Sequence, residues 1–111
     1  MKEKLNQINE LIKELQTTNK EEVQNFMKFM MSVEKDSQIS AKNKELINIA
    51  LAVAAQCEWC IAFHTKNALK LGANEEEIIE AGWQAVLMHG GPALMYMIPL
   101  KEAIKEFKNE Q

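Results

Sequence analysis

Helical periodicity runs through almost all of this 111-residue sequence and limits the chain to an all-helical fold. Apolar residues recur three and four positions apart, as they do along one face of an amphipathic helix. No segment alternates apolar and polar residues for long, and β-branched residues are few, so strand signals are absent. We therefore predict an all-α fold of about six helices.

Capping signals divide this periodic pattern into separate helices. Three patterns mark helix starts, and they are Thr18 with Glu21, Ser40, and Asn74 with Glu77. The third helix, which follows Ser40, is apolar nearly all round, so we expect it to be central and buried. The fourth helix is predicted to run from Gln56 to Leu71 and to stop at Gly72.

The end of the chain carries its two prolines. The fifth helix should run to about His89, where Gly90 and Gly91 close it and Pro92 opens the next helix. Pro99 lies inside that last helix, where it should introduce a kink or end the first half.

Size and charge narrow the possible functions. A chain of this length is expected to form one domain over residues 1–111, with a helix over residues 1–17 as an appended oligomerisation element. Its core is small, which favours a homo-oligomer. The net charge of −3 and the absence of a basic stripe argue against nucleic acid. No apolar run reaches membrane-spanning length, and no signal peptide is evident, so we expect a cytoplasmic protein.

A cysteine pair followed by a histidine is the part of the sequence that indicates a reactive site. Cys57 and Cys60 are the two cysteines of the chain, and His64 lies one helical turn beyond Cys60. Such a pair in a reducing compartment is more often catalytic or metal-binding than a structural disulfide. Cys60 is the better-placed nucleophile because His64 can exchange its proton, and Cys57 is then the resolving thiol. A helix beginning near Cys57 should lower the pKa of these thiols.

Other interpretations of the same residues stay open. The cysteines could be small buried apolar residues, and His64 a satisfied core histidine. Zinc could bind Cys57, Cys60, His64 and His89, although strong zinc signatures carry two ligand pairs. Trp59 and Phe63 flank the thiols and either wall an apolar pocket or pack in the core. We predict no cofactor and no bound metal.

Glu45 can serve this site only if the chain reverses direction. One unbroken helix from Glu45 to Cys57 would separate them by about 18 Å. We therefore predict a turn near Gln56 that folds the fourth helix against the third and brings His64 towards Glu45, with a water bridging any remaining gap. The local sequence has no Gly or Pro to announce that turn.

The order Glu45, Cys57, Cys60 and His64 resembles the E-x11-C-x2-C-x3-H motif of the alkylhydroperoxidase D-like branch of the carboxymuconolactone decarboxylase family. The segment Gly90-Gly91-Pro92-Ala93 also resembles that family, and the likeness covers roughly residues 25–107. It implies an all-helical fold that assembles as trimers or hexamers. It also implies reduction of hydroperoxides by Cys60 and Cys57, with His64 and Glu45 as proton-relay residues.

The resemblance also suggests partners and an alternative activity. A dithiol reductant, such as a lipoyl-bearing or thioredoxin-like protein, would restore the thiols. The other branch of the family decarboxylates a lactone carboxylate without a cysteine pair. The complete thiol motif, and a sequence without arginine to clamp a carboxylate, argue against decarboxylation here. A redox-sensing or zinc-binding oligomer without turnover is the remaining alternative.

Overall fold

The computed structural model describes residues 1–110, which form seven α-helices, a final 3₁₀ turn and no strand. The helices are α1 (Lys2–Thr18), α2 (Lys20–Glu34), α3 (Ala41–Ala54), α4 (Glu58–Lys70), α5 (Glu75–His89), α6 (Gly91–Met95) and α7 (Met97–Phe107). The predicted all-α fold is confirmed. The extra helix arises because the last helical stretch breaks at Tyr96, three residues before Pro99. None of the helices in residues 1–110 is long and apolar enough to cross a membrane.

Local capping chemistry explains most helix boundaries. The Ser40 hydroxyl accepts a hydrogen bond from the Asn43 amide at 3.1 Å, and Asn74 and Glu77 form the predicted capping box. Gly72, with φ of 95°, ends the turn after α4. The predicted cap at Thr18 is wrong, because Asn19 occupies the N-cap position and the Thr18 hydroxyl donates to its side chain instead.

The core forms around α3, which packs against α4 and α5, while α7 packs against α4. Ile49 and Val53 of α3 are fully buried in this core. Burial of the whole α3 surface was predicted, and this is only partly correct. Ile47 and Leu51 remain 47% and 62% exposed in the single chain, because α4 and α5 cover only part of the helix. The amphipathic helix α1 lies across α4 and beside α2.

A three-residue turn between α3 and α4 reverses the chain where the sequence analysis placed a turn. α3 ends at Ala54, and Gln56 adopts φ of 56°, a left-handed conformation that costs a residue with a side chain about 1–2 kcal/mol. The Gln56 amide donates to the Val53 carbonyl and the Cys57 amide to the Ala52 carbonyl, at 3.1 Å each. These bonds hold α4 antiparallel against α3.

Substitutions at Gln56 should reveal the strain in this turn. We expect Gln56→Val to lose about 1–2 kcal/mol in the free energy of unfolding, because a β-branched residue is disfavoured at positive φ. Gln56→Gly should stay within about 0.5 kcal/mol of the wild type, since relief of strain offsets the greater freedom of the unfolded chain. Urea denaturation measures both values, and equal stabilities for the two variants would contradict the turn geometry.

Candidate functional site

The turn after α3 brings the two cysteines and His64 to the start of α4. Cys57 is the N-cap residue of α4, Cys60 lies in its first turn and His64 in its second. Glu45 lies in the first half of α3, and the reversal at Gln56 runs α4 back along that helix towards it. Four residues separated by up to 19 positions therefore belong to one local helix–turn–helix unit.

His64 and Glu45 make a direct contact in this unit. Glu45 Oε1 lies 2.8 Å from His64 Nδ1, so the bridging water allowed for in the sequence analysis is not needed. Glu45 is only 4% exposed, and Asn48 donates a second hydrogen bond to the same carboxylate oxygen at 2.7 Å. When Nδ1 of a neutral imidazole donates to a carboxylate, Nε2 is left as the basic nitrogen.

Hydrogen bonding keeps the buried Glu45 carboxyl ionised. Burial favours its neutral form, but hydrogen bonds from His64 and Asn48 outweigh that effect and lower the pKa of Glu45 below its ordinary value of 4.5. An ionised carboxylate at Nδ1 stabilises the imidazolium that forms when His64 accepts a proton. The pair is thus arranged to let His64 act as a base.

Glu34, at the end of α2, is a second carboxylate in this cluster. Its Oε1 atom lies 3.9 Å from His64 Nδ1 and accepts a hydrogen bond from Asn48 at 3.3 Å. Partial burial, followed by the nearby charge of Glu45, raises the pKa of Glu34 above 4.5. Asn48 therefore holds two carboxylates whose pKa values are shifted in opposite directions.

The two thiols differ in their electrostatic surroundings. The Cys60 amide at the start of α4 donates to Cys57 Sγ at 3.2 Å, so this helix-terminal N–H is directed at Cys57. Desolvation, and then the hydrogen bond and charge of Cys57, raise the pKa of Cys60 to about 11. The prediction that the helix start lowers the pKa is therefore wrong for Cys60. Cys60 is a thiol at neutral pH and needs a base before it can react.

Cys60 and His64 line an open pocket of about 630 Å³ between α1, α2 and α4. Its surface is almost entirely apolar, and its other lining residues are Ile8, Asn9, Ile12, Lys13, Phe26, Met27, Met30, Trp59 and Phe63. Trp59 and Phe63 therefore wall a pocket, one of the two roles considered for them from the sequence. Ile61 and Ala68 of the same helix are fully buried in the core.

Glu34 and Asn48 were not predicted as site residues from the sequence. Asn48 lies three residues, about one helical turn, after Glu45, so the spacing of the two positions on α3 was an available signal. Glu34 reaches the cluster from another helix, and no spacing rule connects it to His64. The contributions of α1 to the pocket were missed for the same reason.

The described residues 1–110 contain one set of side chains arranged to hold a cation, and it is not the zinc set that was an alternative interpretation of the sequence. Glu34, Glu45 and His64 place one ligand atom each within 4.8 Å of one another. Cys57, Cys60, His64 and His89 form no such group in this part of the chain. A cation at the carboxylate group would occupy His64 Nδ1 and compete with its hydrogen bond to Glu45.

Comparison with known sequences gives relatives from several bacteria. An uncharacterized protein from Cupriavidus necator is 34% identical over 96 residues, which cover 86% of this chain and 85% of that protein. An uncharacterized protein from the cox locus of Paracoccus denitrificans is 43% identical over 58 residues, about half the length of each protein (52% in both cases).

Solved structures extend the similarity to the whole fold. A carboxymuconolactone decarboxylase family protein from Legionella pneumophila, solved in its apo form, superposes with a TM-score of 0.93 at 37% identity and with 96% of each chain covered. A family protein from Thermotoga maritima superposes with a TM-score of 0.85 at 21% identity, covering 96% of this chain and 91% of that one. The sequence model of the carboxymuconolactone decarboxylase family matches residues 21–103. This chain therefore belongs to the carboxymuconolactone decarboxylase family.

Proposed function

We propose that this protein is a thiol-dependent hydroperoxide reductase in which Cys60 reacts with the peroxide and Cys57 closes a disulfide. The observation that carries the proposal is the 2.8 Å contact between the buried Glu45 and His64, with Cys60 and His64 lining one apolar pocket. A thiol, a histidine that is oriented by a carboxylate to act as its base, and a second thiol within hydrogen-bond reach are the groups that this chemistry requires.

The proposed reaction proceeds in three balanced steps. His64 Nε2 accepts the Cys60 proton, the sulfur attacks a peroxide oxygen, and the O–O bond breaks as the S–O bond forms. The proton on His64 then passes to the departing alkoxide, which leaves as an alcohol. Cys57 attacks the sulfenic acid of Cys60, forming the disulfide and releasing water. A dithiol reductant of the lipoyl or thioredoxin class supplies two electrons and two protons to restore both thiols.

The exposed apolar surface supports a homo-oligomer as part of this proposal. Large side chains on α2, α3, α5 and α6 are exposed in the single chain, among them Phe29, Met31, Leu51, Leu87 and Met88. Exposed apolar surface of this extent is typical of protein interfaces. A trimer or a hexamer, as the family resemblance implies, would bury it.

The alternatives have weaker support. The Thermotoga maritima relative is named for a possible part in an antioxidative response, which agrees with peroxide reduction, although that relative shares only the fold at this identity. A decarboxylase would need a cationic clamp for its substrate, and the pocket lining contains one lysine and the sequence no arginine. A cation bound at Glu34, Glu45 and His64 would convert the protein into a metal-dependent or sensing protein.

A thiol titration separates these functions. After a stoichiometric pulse of cumene hydroperoxide, we expect both free thiols of each chain to disappear rapidly and to return on addition of dihydrolipoamide. Repeated pulses should then be consumed catalytically. Metal analysis of the purified protein runs in parallel. Unreactive thiols would contradict the proposal. It would also be contradicted if the protein contained one bound metal per chain and if removal of that metal abolished a decarboxylase activity without changing thiol reactivity.

A further inference from the structure

A second cavity adjoins the apolar pocket beside Cys60, and we refer to the two together as the groove along α1. The second cavity, of about 300 Å³, is lined by residues of α1 and α2 and shares Ile12, Phe26 and Met27 with the pocket at Cys60. The α1 residues that line the two cavities run from Ile8 to Leu15, about 10 Å along the helix axis, and Asn19 beyond the end of α1 also lines the second cavity. The groove is therefore elongated and starts at the candidate reactive thiol.

The walls of the groove are apolar side chains that the protein leaves only partly covered. Ile8, Ile12 and Leu15 of α1 are half-buried, and no residue of α1 is fully buried. On the opposite wall Phe26 is 56% exposed, while Met27 and Met30 are flexible enough to adapt to a ligand. An apolar chain placed here would cover these side chains and gain about fourfold in affinity for each buried methylene.

Polar contacts with Trp59, a residue of the pocket lining, fix α1 to the site. Trp59 Nε1 donates to Gln7 Oε1 at 2.8 Å, and Lys4 Nζ lies 5.0 Å from the centre of the Trp59 ring. α1 precedes residues 21–103, which match the family model, so this wall lies outside the matched region. The shape of the groove is thus set by a helix beyond the part of the chain that the family model describes.

Glu22 is the one carboxylate among the residues that line the two cavities, and it lines only the second of them. Lys13 is the one lysine, and it lines only the pocket at Cys60. It is exposed, and none of the salt bridges found within residues 1–110 involves it. A negative charge is therefore favoured beside Lys13 in the pocket at Cys60 and not beside Glu22, so the lining complements a molecule with an apolar chain and one negative charge at Lys13.

We propose that this groove binds a long-chain fatty acid, with its carboxylate paired to Lys13, and that the preferred substrate is the hydroperoxide of such an acid. The second part rests on the proposed function, because it requires Cys60 to reduce peroxides. The first part concerns binding alone and stands without it. α1 then determines which substrates reach the thiol.

The binding test uses full-length Trp83→Phe protein and no peroxide. Trp59 then becomes the sole tryptophan, and because it lines the pocket its emission reports occupancy. We expect dodecanoate to change this emission saturably and to bind more tightly than dodecanol. The ratio of the two affinities should fall about fivefold in Lys13→Gln, the loss expected for one exposed ion pair.

Lys28→Gln is the matched control, because it removes the same charge from an exposed position on α2 outside both cavities. It should retain the wild-type ratio, and Ile12→Ser should weaken both ligands. Equal ratios in Lys13→Gln and the wild type, or no saturable change in emission, would overturn the proposal. Light scattering is measured on the same samples. Loss of assembly in Ile12→Ser would show that a second copy of the chain fills the groove, which also overturns it.

A kinetic comparison separates binding from catalysis. The kcat/KM ratio of linoleic acid hydroperoxide to cumene hydroperoxide should fall about fivefold in Lys13→Gln and remain unchanged in Lys28→Gln. If neither peroxide is consumed by the wild type, the proposed function fails while the dodecanoate titration still decides the binding site. If both are consumed with an unaltered ratio in Lys13→Gln, the assignment of the fatty-acid substrate is wrong.

Discussion

Replacing Cys60 by serine is expected to abolish peroxide consumption, a loss of about a thousandfold or more in kcat/KM, because no other group of the pocket can replace the reacting sulfur. Cys57→Ser should still undergo one oxidation, leaving Cys60 as a sulfenic acid that dimedone traps. Mass spectrometry of the dimedone adduct and steady-state peroxide consumption measure the two effects. Both variants leave the core unchanged, since neither thiol belongs to its fully buried residues.

The same variants test which cysteine is the nucleophile. The Cys60 amide donates to Cys57 Sγ, and the pKa of Cys60 is raised to about 11. Cys60 can therefore react first only if His64 accepts its proton. With His64→Gln, alkylation of Cys60 by iodoacetamide should be slow at neutral pH and should rise as the pH approaches 11. Faster alkylation of Cys57 in the wild type, together with a dimedone adduct on Cys57, would reverse the roles.

Replacing Glu45 by glutamine is the second change for which we expect a large effect. The introduced amide can keep the hydrogen bond to His64 Nδ1 but not the negative charge that stabilises the imidazolium. We expect the rate of Cys60 oxidation to fall about a hundredfold, within the range ascribed to general acid–base catalysis. Stopped-flow measurement of thiol loss after a peroxide pulse gives this rate. An unchanged rate and pH profile would assign Glu45 a structural role only.

The stability of these variants should depend on pH with opposite signs for the two glutamates. The pKa of Glu45 is lowered on folding, so its ionised form stabilises the protein above about pH 4.5, and this stabilisation is lost as the pH falls through the lowered value. Glu45→Gln should thus lose about 1–3 kcal/mol at neutral pH and approach the wild type in acid.

Glu34→Gln is the control for the loss of a neighbouring charge. The pKa of Glu34 is raised on folding, so its ionised form opposes folding at neutral pH, and removing the charge should leave stability equal or higher. Because the wild-type Glu34 protonates as the pH falls, this difference should disappear below about pH 4.5. Destabilisation by both variants at neutral pH would contradict the electrostatic assignment.

Features governed by local sequence were predictable, and those governed by packing between helices were not. The caps at Ser40 and Asn74 depend on a few neighbouring residues, and the structure has them. The cap at Thr18 failed because Asn19, the next residue, competes for the same position. The turn at Gln56 carries no turn residue, and only the requirement that Glu45 meet His64 made it predictable.

The electrostatic differences between the two thiols and the residues that line the pocket could not be predicted from residue spacing alone. Both cysteines were correctly placed at the start of α4, but the direction of one amide decides which sulfur benefits from the helix terminus. Glu34 approaches His64 from α2, and Ile8 and Lys13 reach the pocket from α1. These positions depend on how amphipathic helices pack against one another, which their periodicity does not specify.

The N-cap position of Cys57 has a consequence for the reduction potential of the proposed cycle. In the reduced protein its sulfur accepts a hydrogen bond from the Cys60 amide at the start of α4, and this bond contributes to the stability of the reduced form. The helix terminus therefore favours the reduced form, which raises the potential and makes the disulfide easier to reduce. A dithiol donor of modest reducing strength would then suffice to restore both thiols in each proposed turnover.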